Sequence, residues 1–178
     1  MTPGTTGEGL RHERCFLLPA LPRALAEGTA ALVEERYLAG TRLMLRRLVS
    51  PAAPARPELT LGQRIRGDRT ARVVLSERLR PEAYLALRRL PADVLVWRRY
   101  LVRLAGWPCG VDVFAGELSG LVLAQAAFGS AAEVARFPAP VYAVAEVTGD
   151  DRFGEDELAR TTGSALARTV SEYGMLLR

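Results

Sequence analysis

The chain has 178 residues, 49% of them apolar, enough for one domain with a substantial core and too few for a second. Lys and Arg exceed Asp and Glu by 24 to 20, and the arginines are scattered as pairs (Arg46-Arg47, Arg88-Arg89, Arg98-Arg99) rather than gathered in a patch, which favours an anionic small molecule over nucleic acid as a partner. Cys15 and Cys109 are the only cysteines and no apolar run nears the roughly 18 residues of a membrane span, so neither a secreted disulfide scaffold nor a membrane protein is expected, and the cytoplasm is the expected compartment.

Residues 1–9 are rich in Gly and Thr, lack the basic and apolar regions of a signal peptide, and read as a loose tail before a single domain over 10–178. Cys15 to Leu18 is an apolar strand that stops at Pro19-Ala20-Leu21-Pro22, where two prolines prevent a helix from following directly. Leu32 to Leu38, a turn at Gly40, and the alternating Arg42-Leu43-Met44-Leu45-Arg46 predict a hairpin. Ser50 to Pro57, with three prolines and three alanines, is a loop leading to a strand at Glu58-Leu59-Thr60-Leu61. Gly67-Asp68 is a turn candidate, and Arg72-Val73-Val74-Leu75 continues the meander.

Pro81 suits a first helical turn, and the following residues predict a short helix ending before Pro91. Strands are expected over Val94–Leu104, Val111–Phe114 and Leu121–Phe128, then a short helix from Ser130 to Arg136. The stretch Glu155–Leu177, interrupted at Gly163, predicts two helical pieces. The whole is an α+β domain with a large, mainly antiparallel sheet. Its glycines stand singly at turns, so no phosphate-binding glycine-rich loop is present, and the one histidine, His12, excludes a histidine-rich metal site.

Three segments carry more than periodicity. Arg11-His12-Glu13-Arg14-Cys15-Phe16-Leu17-Leu18 resembles the Glu-x-Glu-x-Lys-Phe-Leu strand that opens the CYTH, or triphosphate tunnel metalloenzyme, family. Val111-Asp112-Val113-Phe114-Ala115-Gly116-Glu117-Leu118-Ser119-Gly120-Leu121 is similar to its Leu-Asp-Val-Phe-x-Gly-x-Leu-x-x-Leu segment, and Glu146-Val147-Thr148-Gly149-Asp150-Asp151-Arg152-Phe153 to its Glu-Val-Thr-x-Asp-x-Arg-Tyr segment. The resemblance implies an eight-stranded antiparallel β-barrel, a tunnel flanked by short helices, whose interior holds carboxylates for Mg²⁺ or Mn²⁺ and basic residues for a triphosphate.

Carried over position by position, the resemblance leaves Glu13 alone among the tunnel glutamates. Arg11 stands for the first, Ala71 and Val73 lie near a second pair, and Gln125 and Ala127 replace a third. One carboxylate beside an arginine is a poor site for a hard cation, so no metal cofactor is expected; Mg²⁺ or Mn²⁺ enters only if the implied activity is retained. Of the basic positions, Arg46 and Arg99 persist while Met44, Trp97 and Gly62 do not, and Arg42 and Arg11 share the inward parity.

The expected site is therefore a lumen of guanidiniums without counter-carboxylates, walled by Met44 and Trp97. It would bind an organic anion through Arg42, Arg46, Arg99 and Gln125, with Glu13 and Arg11 as acid/base and positioning groups of a cyclase, isomerase or lyase. The alternatives are a metal-dependent triphosphatase, a non-catalytic phosphate-ligand or protein-binding module, and a lumen filled by side chains. Taken singly, Glu13 is expected more as an ion-pair strut than as a proton acceptor, Cys15 as a small buried residue, and Asp112 and Glu146 as structural groups.

Overall fold

The computed structural model describes residues 10–66, 71–104 and 106–177, with side chains over 12–63, 76–104 and 106–177; the expected tail at 1–9 and the turn at Gly67-Asp68 lie outside these residues. The strands are β1 (Leu10–Leu18), β2 (Ala31–Leu38), β3 (Leu43–Val49), β4 (Glu58–Arg66), β5 (Ala71–Arg78), β6 (Ala92–Leu104), β7 (Trp107–Phe114), β8 (Val122–Phe128) and the short β9 (Ala145–Glu146). The helices are α1 (Arg23–Ala26), α2 (Pro81–Leu87), α3 (Ala131–Arg136), α4 (Glu155–Leu158) and α5 (Gly163–Ser171).

All pairings given by the register are antiparallel, and the strands follow the order β5-β4-β3-β2-β6-β7-β8-β1-β9. The sheet curls until β1 meets β5 through Leu10↔Val73, Arg11↔Arg72 and His12↔Ala71, which gives a barrel-like tunnel joined along one short seam. Local chemistry explains the hairpins: Gly40 takes φ 71° in the β2–β3 turn, a conformation that costs other residues a Cβ clash. Pro22 ends the β1 connection as expected, yet one helical turn, α1, starts immediately after it, because proline is tolerated just outside a helix N-terminus. Ser130 caps α3 by accepting from Glu133 N at 3.3 Å, and Glu133 accepts in return from Gly129 N at 2.7 Å.

Strand alternation divides the apolar residues between the two faces of the curled sheet. One face carries Leu17, Val33, Tyr37, Met44, Leu95, Trp97, Phe114 and Leu123, all buried against Val147, Phe153, Leu158, Leu166, Val170 and Met175 of the C-terminal segment. That segment therefore closes one mouth of the barrel. The opposite face packs Phe16, Tyr100, Val111 and Phe128 under Phe137, and a third cluster of Leu38, Leu45, Leu59 and Tyr84 lies beneath α2. No described helix is long and apolar enough to cross a membrane.

One ion pair ties the C-terminal segment to the barrel, and a second set braces the segment internally. Arg14 donates to both oxygens of Glu146 at 2.9 and 2.6 Å, and Asp150 accepts from Arg152 and from the Tyr173 hydroxyl at 2.7 Å. The Arg14 hydrogen bond holds Glu146 below its ordinary value, and Arg152 first, with Tyr173 assisting, pulls Asp150 down to about 2. Both carboxyls bind protons more weakly folded than unfolded, so their contribution is present above the unfolded values of 4.5 and 3.8 and is lost as pH falls toward about 2. Because Arg152 is half exposed, screening reduces the Asp150 contribution to about 1 kcal/mol. Denaturant unfolding between pH 5 and 2, at fixed ionic strength, should show the wild type losing that increment and Asp150→Asn losing correspondingly less; identical slopes would refute the assignment.

Candidate functional site

The register lets the inner wall be read strand by strand. Glu13, Cys15 and Leu17 of β1 lie opposite Ala127, Gln125 and Leu123 of β8; Gln125 and Leu123 lie opposite Gly110 and Asp112 of β7; and Asp112 lies opposite Arg99 of β6. On the other side of the ring Glu35 of β2 faces Arg46 of β3, which in turn faces Thr60 of β4. Accessibility separates two zones of this wall. Met44 and Trp97 are 5% and 1% exposed, whereas Glu13, Cys15, Arg46, Thr60, Arg99 and Gln125 are half-buried and reachable by water. The lumen is packed toward the mouth closed by the C-terminal segment and accessible around the two arginines.

Arg99 is the best-defined cation. Its Nε and Nη2 donate to Asp112 Oδ1 and Oδ2 at 2.7 and 2.6 Å, and Nη2 also donates to Gln125 Oε1 at 2.9 Å. Gly110 permits this arrangement, since a Cβ there would stand 3.2 Å from Arg99 Nε and 3.3 Å from its Cδ. Gln125 Nε2 in turn reaches Glu155 Oε1 at 3.4 Å, which places a buried carboxylate from α4 against the same network. Burial alone would lower the Arg99 pKa, but attraction and hydrogen bonding from Asp112, with Glu155 and Glu35 adding to them, raise it. Burial pushes the Asp112 carboxyl above its ordinary range, against the pull of Arg99. The bidentate geometry is that of a charge-assisted pair, so Arg99 stays cationic. Its Nη1 donates to none of the described residues, leaving two N–H groups outside the Asp112 pair, and the side chain keeps 21% of its surface accessible.

Arg46 sits 3.8 Å from Glu35 Oε1 through its Nε and keeps 28% of its side-chain surface accessible. Glu35 is fully buried and also accepts a short hydrogen bond from the Tyr37 hydroxyl. The ring of Trp97 stacks on Phe114 at 5.8 Å between centroids, and the Arg99 guanidinium carbon lies 5.8 Å from its centre.

The structure gathers some of the sequence-predicted residues and not others. Arg46, Arg99, Gln125 and Glu13 share the inner wall, with Glu13 and Arg46 engaged in further interactions. Arg42 does not join them: it lies exposed in the turn between β2 and β3, because the strand begins only at Leu43. Met44 and Trp97 are packed core residues rather than faces of an open pocket. The Arg11 backbone pairs with Arg72, and the side chains of Arg11, Ala71 and Val73 lie outside the described residues.

The expectation of arginines without counter-carboxylates is corrected outright. Glu35, Asp112 and Glu155 are 0%, 1% and 4% exposed, and all three act on the lumen arginines. Asp112 orients Arg99 through both of its oxygens. Glu35 and Glu155 carried no assigned role in the sequence. The alternation of Val33, Glu35 and Tyr37 could have exposed Glu35, whereas nothing in the pattern around Glu155 marks it.

Among the described residues the donor set lacks the cluster of oxygens that a divalent cation takes. Among the described residues no three His, Cys, Asp or Glu side chains come together as metal ligands. Both Asp112 oxygens are already bonded to Arg99, and a hard cation needs several oxygens.

An antiparallel sheet curled into a tunnel, with charged side chains on its inner wall and a helical segment at one mouth, is a CYTH-like tunnel fold. Two crystal structures of the protein NE1496 share it: one described as a hypothetical protein (23% identity, TM-score 0.56, covering 88% of this chain and 99% of that one) and one described as an inorganic triphosphatase (22% identity, TM-score 0.56, covering 88% and 97%). No protein-family model matches the chain, and no curated protein matches its sequence.

Proposed function

We propose that the chain is a divergent CYTH-superfamily barrel repurposed to hold an anionic organic small molecule in its lumen without a metal ion. The observation that carries this reading is the posture of Arg99: Asp112 occupies one edge of the guanidinium and leaves Nη1 outside the pair on a partly accessible side chain, with Arg46 on the wall across the ring. A planar guanidinium fixed on one edge is pre-organised to donate from the other, so little side-chain entropy is lost on binding a carboxylate or phosphate. Glu13, half-buried on the same wall, would accept or return a proton on the bound molecule, with Arg11 of the same strand supplying a companion charge. A cyclisation, isomerisation or elimination fits such a positioning site better than attack on a phosphoanhydride, which relies on cations that this donor set does not hold.

The second reading is a metal-dependent triphosphatase, favoured by the fold shared with NE1496, described as an inorganic triphosphatase. Tripolyphosphate separates the two. It should bind in EDTA, weaken about tenfold with Arg46→Ala through loss of a charge-assisted contact, and remain intact with excess Mg²⁺ or Mn²⁺. Sustained release of phosphate with either metal would establish the triphosphatase instead, and failure to bind in EDTA would remove the metal-free site.

A further inference from the structure

The two arginines at positions 46 and 47 are adjacent on β3 and so point to opposite faces. Arg46 faces the lumen. Arg47 faces outward, opposite Glu34 of β2, beside the cluster roofed by α2. Arg36 and Arg88 come to the same place: Arg36 Nη1 and Arg88 Nε lie 3.8 and 3.5 Å from Glu34 Oε1. Tyr84 of α2 brings its phenol into this group, 3% exposed as a residue. Burial raises the Tyr84 pKa, Glu34 raises it further, and Arg88, Arg47 and Arg36 oppose them, which places all four charges around one hydroxyl.

The balance of this cluster is unusual. Three guanidiniums against one carboxylate leave two positive charges, and Arg47 forms no ion pair among the described residues. Three buried polar atoms lack a hydrogen-bond partner here: Tyr84 Oη, Arg36 Nε and Glu34 Oε1. Unmet buried donors are costly, and proteins retain them mainly where something else supplies the acceptor. A dianion with several acceptor oxygens would satisfy Tyr84 Oη and Arg36 Nε together and neutralise the excess charge. The cluster meets solvent on the Arg88 side, where the side chain is 50% exposed against 18% for Arg36.

We propose that the outer face between α2 and β2–β3 is a second anion site, separate from the lumen, which takes a phosphoryl group through Arg36, Arg47, Arg88 and the Tyr84 hydroxyl. Phosphate is preferred to a carboxylate because its charge near neutral pH matches the excess of two and its oxygens can meet several donors at once. The site does not depend on the proposed lumen activity, as none of its residues lines the lumen.

Inorganic phosphate is the probe, titrated into the full chain in chloride buffer and followed by amide chemical shifts, with acetate as the comparison anion. Shifts should concentrate on residues 34–36, 47 and 84. Arg47→Ala should weaken this phosphate response at least tenfold and Tyr84→Phe about threefold, in line with losing a charged and a neutral hydrogen bond. Arg46→Ala, a lumen change, should leave it unaltered. Tyr84→Phe retains the buried ring and serves if Arg47→Ala unfolds. Phosphate shifts confined to the lumen strands, no response at all, an equal response to acetate, or unchanged affinity in both outer-face variants would each overturn the proposal.

Discussion

Replacing Arg99 by alanine is expected to cost about 4 kcal/mol of unfolding free energy, roughly 10 °C in melting temperature for a chain of this size. Removing the guanidinium strands Asp112, which is 1% exposed and has both oxygens bonded to Arg99. A buried carboxylate without its partner either remains charged at high cost or takes up a proton. The sign of the pH dependence follows from that choice. Burial already raises the Asp112 carboxyl, and without Arg99 nothing so close opposes the rise. In the variant the folded state therefore binds a proton more readily than the unfolded chain, so its deficit is largest at neutral pH and shrinks as pH falls through the raised folded value. The double change Arg99→Met with Asp112→Leu should cost less than Arg99→Ala alone, because a pair removed together leaves no orphan. Denaturant titration of the three variants at pH 7 and pH 5 tests this, and an Arg99→Ala deficit below about 1 kcal/mol at both values would contradict the pairing.

The second large effect is expected from Trp97→Ala, at about 3–5 kcal/mol. Trp97 is the largest fully buried side chain and stacks on Phe114 in the cluster that receives the C-terminal segment. Truncation there opens a cavity bounded by several elements, none of which can collapse into it alone. Trp97→Phe should recover more than half of the loss. If Trp97 were instead the wall of a ligand pocket, alanine would cost about 1 kcal/mol or less and change mainly the binding of tripolyphosphate; equilibrium unfolding and binding measured on the same preparations distinguish these outcomes.

What could be read from the chain and what could not divides along the geometry of the strand. The family resemblance put Glu13, Arg46, Arg99 and Gln125 on the inner wall, and the register gives them a common parity, which is local and survives small errors in strand ends. The same parity failed for Arg42, because alternation continues through a sequence even where the backbone has turned. Helix punctuation at Pro81, Ser130 and Gly163 was legible for a similar reason: capping and proline effects act within a few residues. Pairing between Arg99 and Asp112 was not legible. It depends on the register of β6 against β7 and on the space left by Gly110. Glu155 entered the lumen network only through the docking of α4, a tertiary event without a local signature.

One property of β1 bears on how the molecule reaches its native form. The segment Leu10–Leu18 joins strands that follow it by about sixty, a hundred, and a hundred and thirty positions, counted from its partners Ala71, Val122 and Ala145. Within this chain β1 precedes all of its native neighbours, and closure of the ring must await β8. Such distant pairing carries a large loop entropy before any contact rewards it, which predicts refolding in milliseconds to seconds and a strong susceptibility to trapping at an unmatched strand edge.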